Sequence, residues 1–156
     1  EVLRVLKEVF ELTADDARVH GNTALIWAAG NGHVEVLRVL KEVFGLTAHD
    51  ARAGDNAPLR LAARHGHEGV LRILKEVLEL TDEDARARDN EALRWAAENG
   101  HVEVLKVLID EFQINLTKAG ITELKQIATD SNQQFVLDYL DTIDFVNNSE
   151  SSCVLS

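Results

Sequence analysis

A seven-residue phrase, Leu-Thr-x-x-Asp-Ala-Arg, stands at Leu12–Arg18, returns at Leu46–Arg52 and returns again at Leu80–Arg86, a spacing of 34 residues at both steps. Self-similarity at a period of about 20–50 residues marks repeat architectures, in which each unit buries its apolar face only by stacking on its neighbours. Every unit also carries an Asn (Asn22, Asn56, Asn90), an Ala-Ala pair (Ala28-Ala29, Ala62-Ala63, Ala96-Ala97) and a Gly-His pair (Gly32-His33, Gly66-His67, Gly100-His101). The segment after Gly-His is apolar at helical spacing: Val36, Leu37, Val39, Leu40, Val43 and Phe44 alternate with Glu35, Arg38, Lys41 and Glu42.

Two helices per unit follow. The first is short, its Ala pair lets neighbouring units approach closely, and the Asn column is expected at its N-cap. Gly-His marks the turn into the second helix. The Leu-Thr-x-x-Asp phrase predicts one capped helical turn between units, because a Thr hydroxyl accepts from the amide three residues on while the Asp carboxylate reaches back.

On these residues the chain resembles the ankyrin-repeat family, whose units run roughly 33 residues with Thr-Pro-Leu-His early and Gly-His between the helices. Thr23-Ala24-Leu25-Ile26 and Ala57-Pro58-Leu59-Arg60 echo the tetrad, and the resemblance covers roughly residues 1–113. It implies an all-α helical repeat solenoid. Two departures stand out: Ile26, Arg60 and Arg94 replace the family's His, and the capped turn replaces the usual extended finger. The expected organisation is a partial repeat at 1–17, repeats at 18–51, 52–85 and 86–116, a degenerate C-terminal capping repeat at 117–146 and a flexible tail at 147–156. Glu1–Arg18 nearly duplicates Glu35–Arg52, so the opening reads as the second helix of a unit and the chain as a fragment. Glu123–Ala128 echoes the first helix of the preceding unit, Phe135, Val136, Tyr139 and Leu140 are expected in the apolar slots of the second, and Gln133, Gln134, Asp138 and Asp141 supply the polar outer face of a cap. Units of this style also resemble those of host-acting proteins from intracellular bacteria.

Invariant columns serve stacking, so divergent columns carry specificity. The divergent positions include His20/Gly54/Arg88, Ile26/Arg60/Arg94, Trp27/Leu61/Trp95 and Gly30/Arg64/Glu98. The family resemblance places them on the concave groove or the inter-unit tips, where a protein partner is held. Candidate contact residues are therefore His20, Trp27, Arg60, Arg64, Arg88, Arg94, Trp95 and Glu98, Trp and Arg being frequent interface anchors. The alternatives are a core role for Trp27 and Trp95 and intra-repeat salt bridges for the arginines.

A formal net charge of −11 argues against nucleic acid and against anionic lipid as electrostatic partners. The lone cysteine excludes an internal disulfide framework. It stands in Cys153-Val154-Leu155-Ser156, which resembles the Cys-aliphatic-aliphatic-X box of farnesylated small GTPases, with Ser favouring farnesyl. The resemblance makes Cys153 the lipidation site, Val154, Leu155 and Ser156 the recognition residues of protein farnesyltransferase, and a prenyl-binding carrier a further partner. One lipid gives only reversible membrane binding, and no Lys or Arg follows Lys125 to add a polybasic signal. The expected location is the cytosol and the cytosolic face of membranes, reached through the lipid alone, in the host cell if the source is bacterial. No cofactor, metal site or catalytic motif is expected: the histidines of Gly-His recur as turn residues without Cys/His ligand spacing. The reading is a non-catalytic protein-interaction scaffold, with an effector delivered into a host as one form of it. The alternative is the recruiting half of a larger enzyme or ubiquitin-ligase adaptor whose active domain lies upstream.

Overall fold

The computed structural model describes residues 4, 8, 9, 11 and 13–153. Its helices are α1 (Ala14–Ala17), α2 (Val19–Gly30), α3 (Val34–Phe44), α4 (Ala48–Ala51), α5 (Ala53–Arg64), α6 (Glu68–Glu76), α7 (Asp82–Ala85), α8 (Ala87–Glu98), α9 (Val102–Lys106, continued by a π turn over Val107–Glu111), α10 (Lys118–Asp130) and α11 (Gln134–Cys153). No strand occurs among the described residues.

Helices α2, α5, α8 and α10 stack side by side, and α3, α6, α9 and α11 form a second layer behind them. Alanines set the spacing of the first layer. Ala29, Ala62, Ala63, Ala96, Ala97 and Ala128 are fully buried, so these helices pack more closely than those of the second layer and the stack curves towards them. Leu37, Leu71, Leu74, Leu105, Leu108 and Leu140 fill the space between the layers. Removing about 0.8 kcal/mol worth of apolar surface per methylene at each of these sites stabilises the stack as a whole rather than any single unit.

The short turns α1, α4 and α7 occupy the place of the extended finger. Each is closed by a reciprocal capping box: the Thr13, Thr47 and Thr81 amides donate to Asp16, Asp50 and Asp84 at 2.7, 2.8 and 2.8 Å, and the Thr hydroxyls accept from the Asp amides. The Asp50 and Asp84 carboxylates also bind the preceding unit. Arg18 Nε and Nη2 donate to Asp50 at 2.7 and 3.3 Å, and Arg52 repeats the arrangement on Asp84 at 2.7 and 2.9 Å.

The Asn column does not act as an N-cap through its side chain. Asn22, Asn56 and Asn90 end three-residue left-handed turns (His20–Asn22, Gly54–Asn56, Arg88–Asn90), with φ of 63, 60 and 57°. Asn is the L-residue other than Asp that best tolerates this conformation, which accounts for the column. Its side-chain oxygen is enclosed and without a hydrogen bond in all three units. The helix proper restarts after the turn, which puts Pro58 in its first turn, where a missing N–H costs nothing.

Two expectations change in the last unit. Phe135 is 81% exposed rather than in an apolar slot, while Val136 and Leu140 are fully buried and Tyr139 is half-buried: the register of α11 turns Phe135 outward. Helix α11 also runs unbroken to Cys153, so the backbone from 147 to 153, expected as a flexible tail, continues the helix. Val154, Leu155 and Ser156 lie outside the described residues.

Candidate interaction surface

The first-layer helices present their divergent residues on the inner face of the curve, and the second and third units hold most of them. Arg64 and Arg60 place their guanidinium carbons 5.1 and 5.7 Å from the centre of the Trp95 ring. Arg64 is exposed, stacks on the indole and pairs with no carboxylate among the described residues. Arg60 faces inward. It is only 7% exposed, donates to the Asp55 and Gly54 carbonyls at 2.9 Å each, and pairs with Glu91. A buried charge held this way fixes the left-handed turn of its own unit to the helix of the next, because an unpaired guanidinium there would be costly.

Arg88 is exposed at the start of the third left-handed turn, 3.8 Å from Glu91. Arg94 is half-buried, donates to the Arg88 carbonyl at 3.3 Å and lies 3.7 and 3.9 Å from Asp89 and Glu123. Glu98 is exposed one turn beyond Trp95. Together with Glu91, Ile127 and Asp130, the residues Arg94, Trp95 and Glu98 line a cavity of about 370 Å³ between the third and fourth units. His20 and Trp27 belong to the first unit: His20 is exposed, and Trp27 is 66% exposed on the same inner face. The described chain thus gathers Arg64, Arg88, Arg94, Trp95 and Glu98 into one patch, with Arg60 buried beneath it rather than at the surface, and leaves Trp27 and His20 further along the stack.

The turn histidines have structural partners. His65 Nδ1 donates to the Gly30 carbonyl at 2.7 Å, and His101 Nε2 to the Arg64 carbonyl at 3.0 Å. Gly66, at φ +80°, faces the His101 ring so closely that a Cβ there would lie 2.8 Å from it, and Gly32 faces His67 in the same way. The Gly-His pair is therefore an inter-unit contact as well as a turn.

Two pairings between units are not foreseen in the sequence. Glu91 breaks its column (Thr23, Ala57) just as Arg60 breaks its own, and these compensating charges in adjacent units were the signal for their ion pair. The Arg–Asp ladder was hidden because both partners are invariant. Burial alone would raise the Asp50 carboxyl; the Arg18 guanidinium and the Thr47 amide and hydroxyl outweigh it and hold the group at about 2. Asp84, with Arg52 and Thr81, is lowered for the same reasons. The ladder ends where the phrase does. After Thr117 the box position is Gly120, whose amide caps on the Thr117 hydroxyl at 3.1 Å, and Arg86 is left with Asp82 of its own turn at 3.7 Å.

Among the described residues no helix is long and apolar enough to cross a membrane. No curated protein and no solved structure matches the chain. Residues 88–119 match the family model of the ankyrin repeat. Residues 1–84, more than half of the chain, match the model of ankyrin repeats in three copies, and the chain belongs to the ankyrin-repeat family.

Proposed function

We propose that this chain is a protein-interaction scaffold that holds a partner on its inner face and carries a farnesyl group on Cys153. The observation that carries the first half is the segregation of the repeat: invariant residues are buried in stacking or the capped ladder, while Trp27, Arg64, Trp95 and Glu98 vary between units and stay accessible on one face. Residues freed from packing yet grouped on one side, with two tryptophans among them, are what an interface requires.

The second half rests on the terminal Cys-Val-Leu-Ser. Protein farnesyltransferase would bind these residues extended, which asks the end of α11 to unwind. The stretch Asn147-Asn148-Ser149-Glu150-Ser151-Ser152 is built of poor helix formers and opposes that little. A single farnesyl, next to Asp138, Asp141, Asp144 and Glu150, gives exchangeable residence on a cytosolic membrane face, with a prenyl-binding carrier as the soluble alternative. In a bacterial protein this lipid would be added only inside a eukaryotic host, which is the effector form of the proposal.

Expression in eukaryotic cells tests both halves. Intact-mass and tandem mass spectrometry should find Cys153 farnesylated and the last three residues removed, and Cys153→Ser should shift the protein from the membrane to the soluble fraction. An unmodified Cys153 followed by Val154-Leu155-Ser156 refutes the lipid. Proximity labelling that is unchanged between wild type and a Trp27→Ala/Arg64→Glu/Trp95→Ala variant refutes the inner face as the partner site.

A further inference from the structure

The inner face changes character along the stack. At the junction of the first two units Gly30 stands where Arg64 and Glu98 stand in the units that follow, and a Cβ there would already meet Leu61 at 3.5 Å. No side chain from that position covers Leu61, so Leu61, half-buried, and Trp27, largely exposed, give the column they share an apolar character over the first two units. The next junction offers the Arg64 cation, over the Trp95 ring and without an acidic partner among the described residues. The third offers the cavity of Glu91, Trp95, Glu98 and Asp130, where Glu98 and Asp130 are exposed and Arg94 is the sole cation of the lining.

Apolar, cationic and anionic ground therefore follow one another in chain order. We infer that the partner is a protein segment laid along the stack in one direction, with an apolar or aromatic side chain on Trp27 and Leu61, a carboxylate at Arg64, and a Lys or Arg beside Trp95, Glu98 and Asp130. This rests on the scaffold reading above and adds the chemistry and polarity of the segment. Charge complementarity argues for it: an Arg held over an indole is a preorganised donor to a carboxylate, and carboxylates beside an aromatic wall select a cationic side chain.

A phage library of random dodecapeptides, selected on the full chain, tests it. The expected consensus orders an apolar residue, an acidic residue and a basic residue, in a single chain direction. Arg64→Glu should weaken a selected peptide about tenfold and change the preferred middle residue to Lys or Arg. Glu98→Lys/Asp130→Lys should do the same at the basic position, and each charge swap in the peptide should restore binding to its variant. All of these residues but the stacked Trp95 are exposed, and circular dichroism confirms that the variants remain folded. Selected peptides that bind wild type and both charge variants alike, yet are lost with Trp27→Ala/Trp95→Ala, overturn the charge order and leave the inner face as the site. Peptides indifferent to the tryptophan variant overturn the inner-face reading itself, and a library that yields no enriched sequence overturns the segment proposal.

Discussion

Arg52 grips Asp84 of the following unit with two parallel hydrogen bonds, Nε to Oδ1 at 2.7 Å and Nη2 to Oδ2 at 2.9 Å, while the same carboxylate closes the capping box of Thr81. One side chain thus caps a helical turn and ties it to its neighbour. Asp84→Ala should cost about 2–3 kcal/mol, more than a cap alone, since it removes a cap and a bidentate charge-assisted pair together. Asp16→Ala, at an exposed box, should cost clearly less. Urea unfolding of the two variants checks this, and equal losses would mean that the inter-unit half of the contact contributes nothing.

The same carboxylates make the stack acid-sensitive. Asp50 sits at about 2 in the folded chain, below the ordinary 3.8, so the unfolded state binds its proton first as pH falls. Its stabilisation is fully present above about 4 and is lost between about 4 and 2, amounting to about 2 kcal/mol. Asp84 is shifted in the same direction and adds to the effect. Thermal melts from pH 6 to pH 2 should show a falling Tm below pH 4, and Asp50→Asn/Asp84→Asn, already less stable at pH 6, should lose less across that range.

The order of these elements was legible because a strict period converts sequence into geometry. Thr-x-x-Asp fixed the capped turns, Ala-Ala the close first layer and Gly-His the inter-helix turn. The left-handed turns were not legible: an Asn ahead of a helix fits an N-cap and a positive φ equally well, and only the backbone distinguishes them. Phe135 was misplaced because Phe135, Val136, Tyr139 and Leu140 are compatible with two helical registers, and burial of Val136 and Leu140 selects the one that exposes Phe135. Arg60, a candidate contact residue with an intra-repeat salt bridge as the alternative, is instead buried in a salt bridge between repeats, because its acceptor, Glu91, lies in the next unit.

Arg88 opens the third left-handed turn at φ 54°, where the second unit has Gly54 at φ 61°. A long side chain in this conformation costs about 1 kcal/mol that glycine avoids, partly offset by the greater freedom of glycine in the unfolded chain. Its only ion pair among the described residues, to Glu91, is long at 3.8 Å and surplus, since Glu91 already binds Arg60. Arg88→Gly should therefore raise stability by roughly 0.5 kcal/mol. A decrease in the urea midpoint would show instead that the Arg88 side chain orders the turn.

The two tryptophans differ in what covers them, and that difference is measurable without any partner. Trp27 is 66% exposed, whereas Trp95 is half-buried beneath Arg60 and Arg64 of the preceding unit. With Trp95→Phe the remaining Trp27 should emit at the longer wavelength of a water-exposed indole and be quenched readily by acrylamide. With Trp27→Phe the remaining Trp95 should emit at shorter wavelength and resist acrylamide, and removing the covering cation by Arg64→Ala should raise its quenching towards that of Trp27. Iodide separates cover from charge: Arg64 attracts the anion, so Arg64→Ala should increase quenching of Trp95 by acrylamide more than by iodide. Equal response of both tryptophans to acrylamide in the folded chain would mean that the arginine stack does not form, and with it would go the preorganised cation on which the proposed partner geometry depends.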